Sequence, residues 1–338
     1  MKKVFTKERV RDTAKVLCFI LVFVLLLGLT SHWFFTEKTA VSYYHISRDA
    51  YSYVREPDNT LDAVAVGNSD IYSAFSPLDL WNEYGYTSIV CASPKQTAQD
   101  SYYFMKRIFE KQRPKLVIIE TDMFFSYSTR YEKALIRKGK APNCFDDLDP
   151  EYLDDEISPL FPIFQHHNVW QGDSKLSLLK QICRGYKYND TVVRVKPRRY
   201  LKPTKEKSKI SPVVIGYMDR LVNLCKENGA EVMLAEVPTV LAWDGRRLNA
   251  VKDYAQSRKL DFVDLNTRFR ELKLSFRKSF RDKGNHLNYS GAKSVTKWLG
   301  IYMSSYDIKL RKSEEVARRW DRDYALFQEY ISQPHEEE

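Results

Sequence analysis

Five short apolar runs, separated by segments of helical periodicity, constrain this chain more than any other feature of its sequence. The runs are LDAVAVGNS (61–69), TSIVCAS (87–93), KLVIIETD (115–122), AEVMLAEVP (230–238) and LDFVDLN (260–266). Each is too short for a stable helix and apolar on both faces, which reads as a buried strand. PLDLWNEYG (77–85) reads as a short helix stopped by Gly85. TAQDSYYFMKRIFEKQRP (97–114) places Tyr103, Ile108 and Phe109 on one stripe, with Pro114 just beyond its end. PVVIGYMDRLVNLCKENG (212–229) ends on a glycine, as many helices do. RRLNAVKDYAQSRK (246–259) and NYSGAKSVTKWLGIYMSSY (288–306) complete the set. In the last of these, Ala292, Val295, Leu299 and Met303 share a face. Buried strands alternating with helices predict an α/β domain with a five-stranded parallel sheet. In such sheets ligands bind at the carboxyl ends of the strands, where the strand order reverses.

The N-terminus has a different character. Residues 1–15 are polar and basic, and the run from Val16 to Phe35 carries no formal charge. A stretch of roughly 20 such residues matches a bilayer core. Trp33, Phe34 and Phe35 fit an aromatic interface belt. The apolar run is longer than a signal-peptide core, and no small-residue cleavage site follows it, so an uncleaved single-pass anchor is expected. Lys2, Lys3, Lys7, Arg9, Arg11 and Lys15 would hold the N-terminus in the cytoplasm and place the rest outside the cell membrane. A buried core helix is the alternative, but core helices rarely run this long without a polar face.

A connector covers 36–60, and the α/β domain covers 61–306, with an insertion at 125–209 that is too long for a plain loop. The charged tail, 307–338, reads as an exposed helix with a frayed acidic end. Part of the net charge of +10 lies in RVKPRRYLKPTKEKSK (194–209). There, Arg194, Lys196, Arg198, Arg199 and Lys202 form a candidate patch for anionic lipid or an acidic envelope polymer. A solvated loop is the alternative, and an extracytoplasmic position argues against nucleic acid. The five cysteines show no C-x-x-C spacing, and His166 and His167 are adjacent, so neither set predicts a metal site. No cofactor is expected.

The first strand ends in GNSD (67–70). Ser69, in a turn between strand and helix, is placed for nucleophilic work, although Ser and Asp are also ordinary helix caps. A serine nucleophile needs a base, and histidine is the usual one near neutral pH. Of the six histidines, His32 lies in the anchor, His45 in the connector, His166 and His167 in the insertion, and His335 in the tail. His286, in DKGNHLN (282–288), follows the last strand and precedes the last helix of the alternation. Asp282, four residues upstream, is positioned to orient its imidazole.

GNSD after the first strand, with DKGNHLN before the last helix, resembles the SGNH/GDSL hydrolase superfamily. The resemblance implies a flavodoxin-like three-layer fold and a Ser69–His286–Asp282 triad. The HLNYSGA wording and the anchor are similar to one branch of it. That branch holds the membrane-anchored partners of polytopic membrane-bound O-acyltransferases, such as D-alanyl-lipoteichoic acid protein D and the alginate acetylation proteins. It implies an esterase or O-acyltransferase acting on an acylated glycan or anionic cell-envelope polymer. The alternative is a catalytically silent scaffold for the polytopic enzyme. Three positions depart from the superfamily pattern. Lys283 stands three residues before the histidine, where the acid is usual, and Asp264 offers a fallback. SPKQT follows the second strand in place of an oxyanion glycine, which makes Ser93 and Gln96 the candidates there. ETD replaces an asparagine after the third strand, which leaves Thr121 as a candidate and turns Asp122 away from any developing oxyanion.

Overall fold

The computed structural model describes residues 7–34, 52–126, 163, 182–196 and 200–333. The chain divides into two compact units, 1–44 with 144–174, and 45–143 with 175–338.

In the first unit, α1 (Lys7–Phe34) runs for 28 residues. It begins nine residues before the expected apolar span, because KERVRDTAK is built mostly of helix-tolerant residues and carries no glycine or proline. From Arg11 to Phe34 its mean hydropathy reaches 2.5, long and apolar enough to cross a membrane or to serve as a signal sequence. Phe19, Leu21 and Trp33 are exposed, so α1 is not a buried core helix.

The second unit is α/β. Strands β1 (Ala63–Gly67), β2 (Ser88–Ala92), β3 (Leu116–Glu120), β4 (Glu231–Glu236) and β5 (Asp261–Asp264) pair in parallel in the order β2-β1-β3-β4-β5. Strands β1, β2 and β3 are buried at every position, which is why they read as unbroken apolar runs. Three helices lie on one face: α2 (Ser69–Ala74), α3 (Pro77–Tyr84) and, packed on both, α7 (Tyr289–Met303). On the other face, α4 (Ala98–Lys111) packs against α5 (Pro212–Glu227), and α6 (Gly245–Arg258) joins α5 through the Tyr254–Asp219 hydrogen bond. The result is the expected three-layer, flavodoxin-like arrangement. Its strand order reverses between β1 and β3, so their carboxyl ends open the crevice in which such sheets bind ligands.

One region differs from the sequence reading. The tail forms α8 (Glu314–Ser332), and it is not an exposed helix. Val316, Trp320, Asp323 and Phe327 are buried at helical spacing, and Trp320 lies 5.6 Å from the Trp81 ring of α3. Arg184 is also buried there, 3.6 Å over the Trp320 ring. Its guanidinium donates to Glu56 (3.0 Å) and Asp323 (2.8 Å). Residues 182–196 and 200–209 of the insertion are held to the α/β body: Lys187 N–H donates to Tyr72 O, Val195 N–H to Phe276 O and Ser208 N–H to Arg246 O.

Candidate active site

The site is built on strand ends. Gly67 closes β1 because β3 comes too near for a side chain: a Cβ there would stand 2.4 Å from Glu120 Cβ. Asn68 then caps α2, its Oδ1 accepting from Asp70 N–H at 2.8 Å, so Ser69 becomes the first helical residue. Ser69 is partly buried, and its carbonyl accepts the Ser73 hydroxyl at 2.6 Å.

His286 arrives from the loop before α7. That loop is pinned by the Phe280–Leu287 bridge and by Val240 N–H donating to Gly284 O at 2.6 Å. Asp282 organises it. One oxygen, Oδ1, accepts the N–H groups of Gly284, Asn285 and His286 at 2.9, 2.8 and 3.1 Å. The other, Oδ2, meets His286 Nδ1 at 2.5 Å. The unusual spacing is therefore accommodated by the turn. Gly284 takes up the extra residue at φ +112°, a conformation that side chains rarely adopt. Partial burial raises the affinity of Asp282 for a proton, but the hydrogen bonds from the His286 ring and from the backbone outweigh it. Its carboxyl is held well below the usual carboxylate range. The fallback acid is engaged elsewhere: Asp264 accepts from Trp243 Nε1 at 3.0 Å and from Asn266 N–H at 2.9 Å.

The other imidazole nitrogen, Nε2, lies 3.6 Å from Oδ1 of Asp70, the residue after Ser69. The GNSD turn and the histidine loop thus meet at one point of the sheet edge. Asp70 was not read from the sequence as more than a cap. Two carboxylates from neighbouring strand ends adjoin it, Glu120 and Glu236, and both are fully buried. Burial pushes the carboxyls of Asp70, Glu120 and Glu236 well above the usual range, and the charges of neighbouring carboxylates push them further.

The expected oxyanion groups are arranged differently. Gln96 is buried, and its amide donates to Cys91 O (3.1 Å) and Ser101 Oγ (2.9 Å). The Thr121 hydroxyl donates to Glu236 at 2.6 Å. Both side chains are therefore committed inside the fold and hold no donor toward a ligand. Ser93, partly buried, donates to Gln96 Oε1 at 3.1 Å. Asp122 does not turn away from the Ser69 turn. It accepts Asn68 Nδ2 at 2.9 Å, and Arg247 Nη1, at 2.6 Å, balances its charge. Within the basic segment Arg194, Lys196 and Lys202 are exposed, while Arg198 and Arg199 lie outside the described residues.

No protein-family model and no curated protein matches this sequence. Among solved structures it is similar to a candidate acylhydrolase from Bacteroides fragilis, at 16% identity and a TM-score of 0.35, covering 76% of this chain and 95% of that one. It is also similar to a GDSL-like lipase from Bacteroides thetaiotaomicron, at 15% identity and a TM-score of 0.31, covering 72% of this chain and 87% of that one.

Proposed function

We propose that this protein is a membrane-anchored serine acyl-transfer enzyme of the SGNH/GDSL type. The observation that supports it is the Asp282–His286 pair, with Nδ1 held at 2.5 Å and Nε2 directed to the turn that carries Ser69. In this reading the Ser69 hydroxyl attacks an acyl carbonyl. His286 Nε2 takes its proton and returns it to the leaving oxygen. Asp282 keeps the proton of the imidazole on Nδ1 and balances the imidazolium that forms. The Ser69 N–H supports the oxyanion. Water as acceptor gives an esterase, and a sugar hydroxyl gives an O-acyltransferase. The helix α1 anchors the enzyme with its N-terminus in the cytoplasm and the α/β unit outside. Its substrate is an acylated glycan or anionic envelope polymer, which exposed Arg194, Lys196 and Lys202 attract, and its partner is a polytopic membrane-bound O-acyltransferase.

A second reading, a scaffold without turnover, draws support from Gln96 and Thr121, whose donors are already engaged. A fluorophosphonate probe separates the two. Labelling of the wild type that disappears in Ser69→Ala, and falls by about 10³-fold or more in rate in His286→Ala, supports the enzyme. Folded wild-type protein that never labels rejects it in favour of the scaffold.

A further inference from the structure

We propose that Asp70, Glu120 and Glu236 form a binding site for a hard divalent cation of the Ca²⁺, Mn²⁺ or Mg²⁺ class. Each contributes a carboxylate oxygen, and the three oxygens lie within 4.8 Å of one another. They come from three adjacent strand ends: Asp70 from the turn after β1, Glu120 from the last residue of β3 and Glu236 from the last residue of β4. Such positions are held by the sheet ladder and do not rely on loop order.

A second observation points to a ligand. Glu236 is fully buried; its Oε2 accepts the Thr121 hydroxyl, but its Oε1, also buried, has no hydrogen-bond partner. A buried carboxyl oxygen without a partner is costly, and a bound cation would satisfy it. The nearby guanidinium groups do not serve it. Arg247 is bonded to Asp122, and Arg281 to Ser73 Oγ and Lys187 O. Glu120 receives two backbone donors, Asp122 N–H at 2.6 Å and Asn68 N–H at 3.5 Å, which orient its carboxylate but add no positive charge.

The donor set defines the class of ion. All three ligands are carboxylate oxygens, which suits Ca²⁺, Mn²⁺ or Mg²⁺ rather than a softer metal. Oxygens within 4.8 Å of one another can close on any of these ions, and Ca²⁺, which tolerates irregular carboxylate geometry, is the natural probe. The ion would bind together the ends of β1, β3 and β4 and fix the turn that presents Ser69. It does not depend on Ser69 being a nucleophile.

The test uses the full-length protein in detergent, stripped with EDTA and dialysed against metal-free buffer. Added Ca²⁺ should bind at about one ion per chain by calorimetry and elemental analysis. At saturation it should raise the thermal midpoint by about 4–8 °C. Glu236→Gln and Asp70→Asn should each lower Ca²⁺ affinity at least tenfold and remove the thermal shift, while far-ultraviolet dichroism stays that of the wild type. Wild-type protein that retains no metal and melts at one temperature with and without Ca²⁺ would overturn the proposal. So would a shift that persists unchanged in both variants. Should the variants fail to fold, the two wild-type measurements decide alone. Neither readout involves turnover, so a protein that binds Ca²⁺ yet never labels at Ser69 rejects only the enzyme reading.

Discussion

Asp282 divides its two oxygens between structure and candidate chemistry. Oδ1 gathers three backbone N–H groups and holds the loop, while Oδ2 orients His286. Asn at this position keeps an oxygen for the backbone but turns an amide toward Nδ1, which reverses the favoured tautomer of the imidazole. Asp282→Asn is therefore expected to slow Ser69 acylation by about 10²–10⁴-fold with little change in thermal midpoint. Stopped-flow labelling with a chromogenic ester, beside a melting curve, checks both halves. Equal rates for variant and wild type would remove Asp282 from the mechanism. Ser69, His286 and Asp282 can be singled out as candidates from the sequence, because a small turn after the first strand and a histidine before the last helix are local patterns. Asp70, Glu120 and Glu236 cannot. Their only local signals are a cap residue and two acidic strand endings, and their proximity arises from pairing across β1, β3 and β4.

At the scale of the element, two glycines set the geometry. Gly67 exists because β1 and β3 close on each other, and adding one methyl group there forces Glu120 or Ile71 to shift. Gly67→Ala should destabilise the domain by about 1–3 kcal/mol, measured by chemical denaturation. A stability equal to the wild type would show that the strand ends yield more readily than their spacing implies. Gly284 has a different task. It turns the chain at φ +112° so that three residues, not two, separate the acid from the base, and a Cβ there would meet Val240 at 3.1 Å and Val195 at 3.3 Å. Gly284→Ala should cost about 1–3 kcal/mol and impair His286 function more than global stability, since the strain falls on the loop itself. Activity retained in a folded Gly284→Ala variant would contradict this account. The strands were evident from composition, but the short helix α2 was not, because its six residues, SDIYSA, are too few to show a helical period.

At the scale of the molecule, the tail and the end of the insertion complete the fold around one ionic cluster. Arg184, Glu56, Arg319 and Asp323 meet beside Trp320, drawing together segments far apart in the chain. Trp320→Ala removes a fully buried ring that packs on Trp81 and Arg184. A loss of about 3–5 kcal/mol is expected in the unfolding free energy. A loss below about 1 kcal/mol would restore the tail to the exposed helix its charges imply. Charge misled here because α8 is amphipathic: its polar residues dominate the composition, while four side chains at helical spacing carry the packing.

The sequence alone determined the α/β class, the parallel sheet and the apolar N-terminal helix, and it singled out Ser69, His286 and Asp282 as candidates. Each of these is written in a local period, a run length or a short motif, which physical chemistry reads without knowledge of distant neighbours. Only the tertiary structure decided that Asp282 could reach His286 across an added residue, that Gln96 and Thr121 were committed inward, and that three carboxylates would bring oxygens within 4.8 Å of one another. Those outcomes depend on which strand ends become neighbours and how closely they approach, and strand order is set by packing of the whole chain rather than by any one segment.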